Sequence, residues 1–531
     1  MTMMQMLLMA TSSLTPLPDA YLDLDFASNS YRLADTASSY DAAFLGSSPK
    51  LTYAATSNST MVDSSGEIVW APHNFVDYSE DFEQWSGNVG VTLDSSTATD
   101  PLGGFTASTY SGFSVGTNSR LSEVFIAARN FKCTFAIWLK GTAGETIELE
   151  LDTNGAAENE ITFTGSWQLE TISNDNPTTG RVRIINRSNS ADVVSVWGAH
   201  VYRSDLGGMA PVPGAATGFE TYVPTNGSAE YLPRVGHHVY DTTTSAWVNE
   251  GLLLESEART NLLLSTATLS TQSATVTAVP HTLSFTGTGT VTLSGVSTDG
   301  PLVGTGTGEN NRVNLTFTPT AGTLTLTVSG TVSNAQLEVG STPSSYMPSN
   351  ATTQGSRAAQ TLDVPPAEFG WNSSGMSFAM EGRMTYTDNG TGANINSGDH
   401  QFFSISQSLT NYILHGISTS GSRTGQPIAE QRSSAQNGVS GVRISSLGGG
   451  QDFAPGVLVP YNVSARHSTA GVQGANEGTA NSFTATPTDK VTLADLSNES
   501  LEFGVKYMGT IRQFRQWDED IGETGIEEAS S

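Results

Sequence analysis

The chain has 531 residues, only 14% of them charged, with 23 basic against 51 acidic side chains for a net charge of −28. That balance excludes nucleic acid as a partner, since binding it depends on neutralising phosphates with Lys and Arg, and it opposes docking on anionic membranes. The single cysteine, Cys133, excludes an internal disulfide and any cysteine-built metal site.

At roughly 150 residues per domain the length predicts three or four domains. The abundance of Gly, Ser, Thr and Asn predicts short strands and many turns. Residues 1–73 read as a small N-terminal base. The run Met1-Thr2-Met3-Met4-Gln5-Met6-Leu7-Leu8-Met9-Ala10 is apolar, lacks a basic start and is too short to span a bilayer, so it reads as retained and docking onto a partner, without membrane insertion. Tyr21-Leu22-Asp23-Leu24-Asp25-Phe26 alternates as a strand, and two short strands flank an Asp/Ser/Gly turn within 62–70.

Residues 74–205 are the best-patterned module. Period-two reading of Phe135-Ala136-Ile137-Trp138-Leu139-Lys140 puts Phe135, Ile137 and Leu139 on one face and Trp138 with Lys140 on the other. In Ile147-Glu148-Leu149-Glu150-Leu151-Asp152 the aliphatics face inward and the carboxylates outward. Residues 206–260 form a connector with a hairpin at 239–248, and 261–359 a smaller Thr- and Val-rich sandwich with its own connector. Residues 360–531 form the last module. Helical periodicity is almost absent, so the expected fold is all-β: tandem antiparallel β-sandwiches of jelly-roll type, followed by a concanavalin-like sandwich.

One motif occurs twice. Tyr222-Val223-Pro224-Thr225-Asn226 precedes Arg234, and Tyr346-Met347-Pro348-Ser349-Asn350 precedes Arg357. A residue before proline is pushed into extended backbone and the following polar residues favour turns. Each copy closes one strand-rich segment and opens the next, so it reads as a structural hinge between modules.

The core of residues 251–264, Glu257-Ala258-Arg259-Thr260-Asn261-Leu262-Leu263, resembles a connector of tailed-bacteriophage fibres and head spikes. The segment from Asn74-Phe75-Val76-Asp77-Tyr78 to Trp85 is similar to the opening of a carbohydrate-binding-module-like sandwich, and 334–348 to its close. The Gly-Thr-Ile-x-x-Phe-x-x-Trp arrangement at 509–517 resembles the last strand of a laminin-G-like or concanavalin-like lectin domain. The first module departs from the connector pattern, opening with Ala71-Pro72-His73-Asn74. The resemblance implies virion location and surface binding without identifying a ligand. On that reading residues 1–73 are expected to dock to other virion proteins and host-surface glycan is the expected ligand. The chain is expected to be a homo-oligomer, a trimer being favoured for a fibre and a pentamer suiting a head vertex.

Trp138 and Lys140, with Glu148 and Glu150 if the two strands pair, are the candidate carbohydrate platform: aromatic faces stack on sugar rings and carboxylates accept hydroxyl hydrogen bonds. The alternative is that this face packs against protein. Asp388 and Asn389, in an oxygen-rich loop, are the candidate metal ligands, with calcium as the ion; an ordinary turn is the alternative. No cofactor is expected otherwise. Trp167 and Trp517 read as core anchors. The histidines are scattered without metal-ligand spacing and no nucleophile elbow or phosphate loop occurs, so the chain is expected to be no enzyme. The alternatives are a polysaccharide depolymerase, whose two carboxylates need a defined separation in a cleft, and a purely architectural decoration protein.

Overall fold

A computed structural model describes every residue except 1–16, 46–47, 115–117, 126–129, 153–156, 188, 388–399, 420–423, 434–441, 445–452, 482–483 and 486–492. The apolar N-terminal run, Asp388 and Asn389 therefore lie outside the described residues. The chain divides into a central unit, residues 53–360, and a terminal unit built from 1–52 together with 361–531. Residues 1–73, expected as one base, are thus shared between the two units. The fold is nearly all β, as expected. No helix among the described residues is long and apolar enough to cross a membrane.

Two sandwiches make up most of the central unit. In the first, a five-stranded sheet runs in the order Gln168–Asn174, Cys133–Lys140, Val194–Arg203, Ala107–Ser111, Thr92–Ala98. It faces a four-stranded sheet ordered Ser119–Val124, Arg181–Asn186, Thr146–Leu151, Ala157–Thr162. Phe135, Ile137 and Leu139 from one sheet and Ile147, Leu149 and Leu151 from the other are fully buried between them, as strict alternation requires. The second sandwich pairs a sheet of Gln272–Val276, Gly322–Ser329, Thr290–Gly295 and Leu302–Val303 with one of Val313–Phe317, His281–Gly287 and Val332–Val339. Its core is mainly aliphatic, with Leu283, Leu324, Leu326 and Leu337 fully buried.

The duplicated motif is a clasp within each sandwich rather than a hinge. Asn74 is fully buried at the opening of the first. Its amide donates to Ala199 O and Val223 O, both at 2.9 Å, and its oxygen accepts from Val76 N and Val201 N, both at 3.0 Å. Asn261 does the same in the second sandwich, donating to Ala335 O (2.9 Å) and Met347 O (3.0 Å) and accepting from Leu263 N (3.2 Å) and Leu337 N (3.1 Å). Ser79 Oγ meets the Tyr222 hydroxyl at 2.9 Å, and Thr266 Oγ1 meets that of Tyr346 at 2.8 Å. Each clasp needs a bulge to turn Ala199 or Ala335 toward the asparagine. The register of the closing strand slips there, opposite 136–138 in one case and 284–286 in the other. The residue before each alanine takes the left-handed backbone that such a bulge uses: Gly198 at φ 67° and Asn334 at φ 49°.

The arginine that follows each motif copy reaches one shared partner. Arg234 Nη1 lies 2.7 Å from Glu255 Oε2, and Arg357 Nη1 bonds the same oxygen. Ser345 N (2.8 Å) and Ser345 Oγ (2.6 Å) complete the cage around the carboxylate. Burial alone would raise the Glu255 carboxyl, but the two guanidiniums hold it well below its ordinary range.

In the terminal unit, one antiparallel sheet orders Thr36–Ser38, Ser30–Leu33, Leu22–Asp25, Met508–Trp517, Gly375–Tyr386, Gly456–Ser468 and Gly471–Asn476. The other orders Val442–Ile444, Pro427–Arg432, Asn411–Ile417, His400–Ser408, Leu501–Phe503 and Thr361–Val364. Phe514 packs among Phe403 (5.0 Å between centroids) and Phe503 (4.9 Å). Trp517 is buried with Ala20, Ala379 and Ala529, and donates its Nε1–H to Pro18 O at 2.8 Å. The strand is therefore covered on both faces, and Trp517 is a core anchor.

Two histidines sit inside this core. His415 Nε2 and His467 Nε2 are 2.8 Å apart, and His467 Nδ1 lies 3.1 Å from Gln431 Oε1. Gln431 Oε1 can only accept, so His467 carries its proton on Nδ1 and its Nε2 accepts from His415. Burial holds both rings neutral, lowering His467 to about 3 and His415 well below its ordinary value.

Candidate functional site

The predicted carbohydrate platform does not form, because its two halves belong to different sheets. Trp138 is paired in register with Leu169 and Trp197, whereas Glu148 and Glu150 pair with Glu160 and Glu158 on one side and Ile185 and Arg183 on the other. Period-two reading assigns a face to each residue but says nothing of which strand lies alongside. Trp138 turns outward as expected, yet its indole stacks on Phe219 with centroids 4.9 Å apart and planes at 21°. Trp197 packs edge-on against the same Phe219 at 5.9 Å and against Tyr222 at 4.7 Å, so the segment after the sandwich covers this face. Lys140 is exposed at the strand end. Trp167 is half-buried and donates to Thr99 O at 3.1 Å, which ties it to the neighbouring loop.

Glu148 and Glu150 do lie together, on the outer face of the four-stranded sheet. Like charges directly opposed across strands destabilise a sheet, and here Glu150 opposes Glu158 and Glu148 opposes Glu160. Arginines compensate them. Arg187 Nε is 2.9 Å from both Glu148 Oε1 and Glu150 Oε1, and Arg183 Nη1 is 3.1 Å from Glu150 Oε2. The Glu150 side chain is consequently 0% exposed although it points away from the core. Burial, and then the neighbouring Glu150, raise the Glu148 carboxyl against the pull of Arg187. Carboxylate oxygens of Glu148, Glu150 and Glu158 lie within 4.8 Å of one another, a spacing that a cation could share. Arg187, which reaches all three, already supplies the positive charge there. The network is self-satisfied, and its role on this face is structural.

A groove of about 210 Å³ lies elsewhere, on the outer face of the second sheet of the terminal unit. Its walls include Gln401, Ser404, Tyr412, Leu414 and Glu502, with Leu409 at the rim. The register explains why they converge: Ser404 is flanked by Glu502 on one side and Leu414 on the other, and Ser406 by Tyr412. Alternate residues Phe403, Ile405 and Ile413 enter the core, so these point away from it. Ser404 is only 6% exposed, and its hydroxyl has no hydrogen-bond partner among the described residues. The same holds for the Gln401 amide and the Glu502 carboxylate. Ser404 is buried, Gln401 half-buried and Glu502 exposed, so together they leave a donor–acceptor set open to a ligand along one groove. Tyr412 adds a ring whose hydroxyl is held 2.5 Å from Glu430 Oε1. Partial burial raises the Glu502 carboxyl, and the charges of Asp363 and Glu499 add to it. The sequence holds one sign of this surface, the alternation Ser404-Ile405-Ser406-Gln407-Ser408, but its partner Glu502 is almost a hundred residues away.

No protein-family model matches the chain, and no curated protein matches it. Among solved structures, the module TmCBM61, determined with β-1,4-galactotriose, is 18% identical over 24% of this chain and 98% of its own, with a TM-score of 0.19. The enzymatically active domain of tailspike protein 4 of bacteriophage CBA120 is 15% identical over 24% of this chain and 21% of its own (TM-score 0.20). A leech intramolecular trans-sialidase is 13% identical over 30% and 23% (TM-score 0.22). Domains LG4-5 of the mouse laminin α1 chain align at 9% identity over 77% and 89%, with a TM-score of 0.21. This chain thus spans about a fifth to a quarter of the tailspike and trans-sialidase chains. Likeness at these TM-scores carries no argument about what the chain does. It corrects one expectation: with a tailspike enzymatic domain and a sialidase among the neighbours, the exclusion of an enzyme does not stand.

Proposed function

We propose that the chain is a surface protein of a tailed-phage virion that binds host-cell glycan through its terminal unit. The groove carries this reading: Ser404, Gln401 and Glu502 present unsatisfied polar groups beside the Tyr412 ring and Leu414. A sugar ring offers hydroxyls to such groups and an apolar C–H face to Leu409, the exposed apolar residue of the lining, while Tyr412 and Leu414 form the buried floor. At about 210 Å³ the groove falls below the ~300–1,000 Å³ of most small-molecule pockets, which suits one sugar ring of a longer chain lying across the sheet. Affinity at a site this small is weak, and several copies on one particle raise it through effective concentration. A homo-oligomer, with a trimer favoured, meets that need. The virion assignment rests on the connector at 251–264. Two of its residues have clear structural work, Asn261 in the clasp and Glu255 beneath the paired arginines.

Three measurements test the proposal. Mass spectrometry of purified particles should find the chain, and antibodies against residues 361–531 should reduce adsorption. Glycan-array screening of the full chain should give binding that Ser404→Leu weakens at unchanged thermal stability. Particles without the chain, or an array silent at high protein concentration, would overturn it.

A further inference from the structure

Resting on that glycan-binding reading, the geometry points to a ligand class: we infer that the groove accepts neutral or amino sugars and rejects acidic ones such as uronates and sialic acids. The argument is the charge lining and surrounding it. Glu502 lines the groove with no ion-pair partner among the described residues, and Asp363 stands directly opposite it across the strand pair. Burial raises the Asp363 carboxyl, which also lacks a described cation. Glu430 lies one strand beyond Leu414 on the same face, and Glu499 is near enough to act on Glu502. Among the residues whose side chains are described, the basic group close to this surface is Arg432; the register also sets Arg443 opposite Glu430, one strand further out. The Arg432 guanidinium sits 5.8 Å from the Tyr412 ring centroid and Nη1 donates to Leu409 O at 3.2 Å, so its charge is engaged at the rim and it does not itself line the groove.

A carboxylate on the ligand would enter a site where Glu502 and Asp363 already repel each other. No described lining residue is a lysine or arginine able to form the bidentate pair by which proteins hold carboxylates. A neutral sugar meets the opposite situation: its hydroxyls donate to Glu502 and exchange hydrogen bonds with Ser404 and Gln401. An ammonium sugar would in addition supply the missing counter-charge. The net charge of −28 reinforces the discrimination at longer range and at low salt.

The test is a glycan array carrying neutral, amino and acidic oligosaccharides, probed with the full chain and with Glu502→Gln and Glu502→Lys. Glu502 is at the surface, so both variants should fold, which a thermal scan verifies. Expected hits are neutral and amino glycans, with acidic ones at least about tenfold weaker, a difference of ~1.4 kcal/mol. Glu502→Lys should lose the amino sugars and gain acidic ones by a similar factor, and Glu502→Gln should fall between. Hits mainly among acidic glycans would overturn the class while leaving glycan binding intact. Hits that neither variant alters would place the ligand away from this groove and overturn the assignment. Complete silence would instead remove the reading on which it rests.

Discussion

Replacing Glu255 with glutamine tests the centre of the central unit. The carboxylate accepts hydrogen bonds from Ser345 N, Ser345 Oγ and Arg357 and is ion-paired with Arg234. The arginine side chains are 0% and 1% exposed and the glutamate 4%. Glutamine keeps one acceptor oxygen but no charge, so two buried guanidiniums lose their anion. Breaking a buried ion pair by removing one partner costs ~3–5 kcal/mol, and with two cations stranded the upper end is expected. At ~2–4 °C per kcal/mol for domains of 150–250 residues, the melting temperature should fall by roughly 6–20 °C. Differential scanning calorimetry of the full chain reads this as a shift of the central unit's transition, while that of the terminal unit stays in place. The pH dependence adds a check. The folded-state carboxyl lies well below its ordinary 4.5, so its contribution is fully present above that value and is lost as pH falls beneath it. The gap between wild type and variant should therefore be constant from neutral pH to about 5 and narrow below. A loss under about 1 kcal/mol would mean an exposed-type pair and refute the buried triad. So would a gap that widens on acidification.

Acid should weaken both units through their buried histidines. Burial lowers His73, His237 and His467 to about 3 and His200 to about 4, against an ordinary 6.5. The unfolded chain takes up protons first, so stability is fully present above pH 6.5 and declines toward pH 4, by up to ~1.4 kcal/mol per pH unit for each group. Urea midpoints between pH 7 and 4.5 should show it, with a shallower slope for the terminal unit in His467→Gln. Trp138→Ala should destabilise the central unit by about 1–3 kcal/mol through the lost Phe219 stack and leave glycan binding unchanged; lost binding would restore that face as a ligand platform. Arg187→Met should cost about 1–3 kcal/mol at pH 7. It should cost less at pH 5, because the Glu148 carboxyl, already raised by burial, takes up a proton more readily once Arg187 is gone; equal losses at both values would show that Arg187 does not neutralise the cluster.

Much of the architecture can be read from the sequence because strand alternation is local. Phe135, Ile137 and Leu139 declare one face within six residues, and the same rule places Glu148 and Glu150 outward. What alternation cannot express is who lies beside whom. The proposed Trp138–Glu148 platform failed at that step, since the two strands entered opposite sheets. The repeat of Tyr-x-Pro was visible, but its use was hidden in the asparagines at 74 and 261 and in a bulge filled by glycine in one copy and asparagine in the other. Glu255 showed no sign of its role, because both of its arginine partners come from distant segments. The scattered histidines looked unpartnered for the same reason: His415 and His467 meet only when two sheets close on each other. The groove depends on Ser404 and Glu502 becoming neighbours, a pairing set by the register of the folded sheet.

The asparagine clasps have a consequence for how such a chain can change over generations. Each one ties the beginning of a sandwich to the strand that ends it and to the segment leaving it, so the backbone departs close to where it arrived. A sandwich held this way behaves as a cassette. A copy can be inserted, exchanged or deleted without rerouting what comes before or after, provided the asparagine, the bulge and the Tyr-x-Pro exit travel with it. The two cassettes here have nearly unrelated interiors, one rich in aromatics and the other in leucine and valine, yet they carry the same fastening. Interiors and outer faces are therefore free to diverge toward new ligands while the fastening holds the order of the chain.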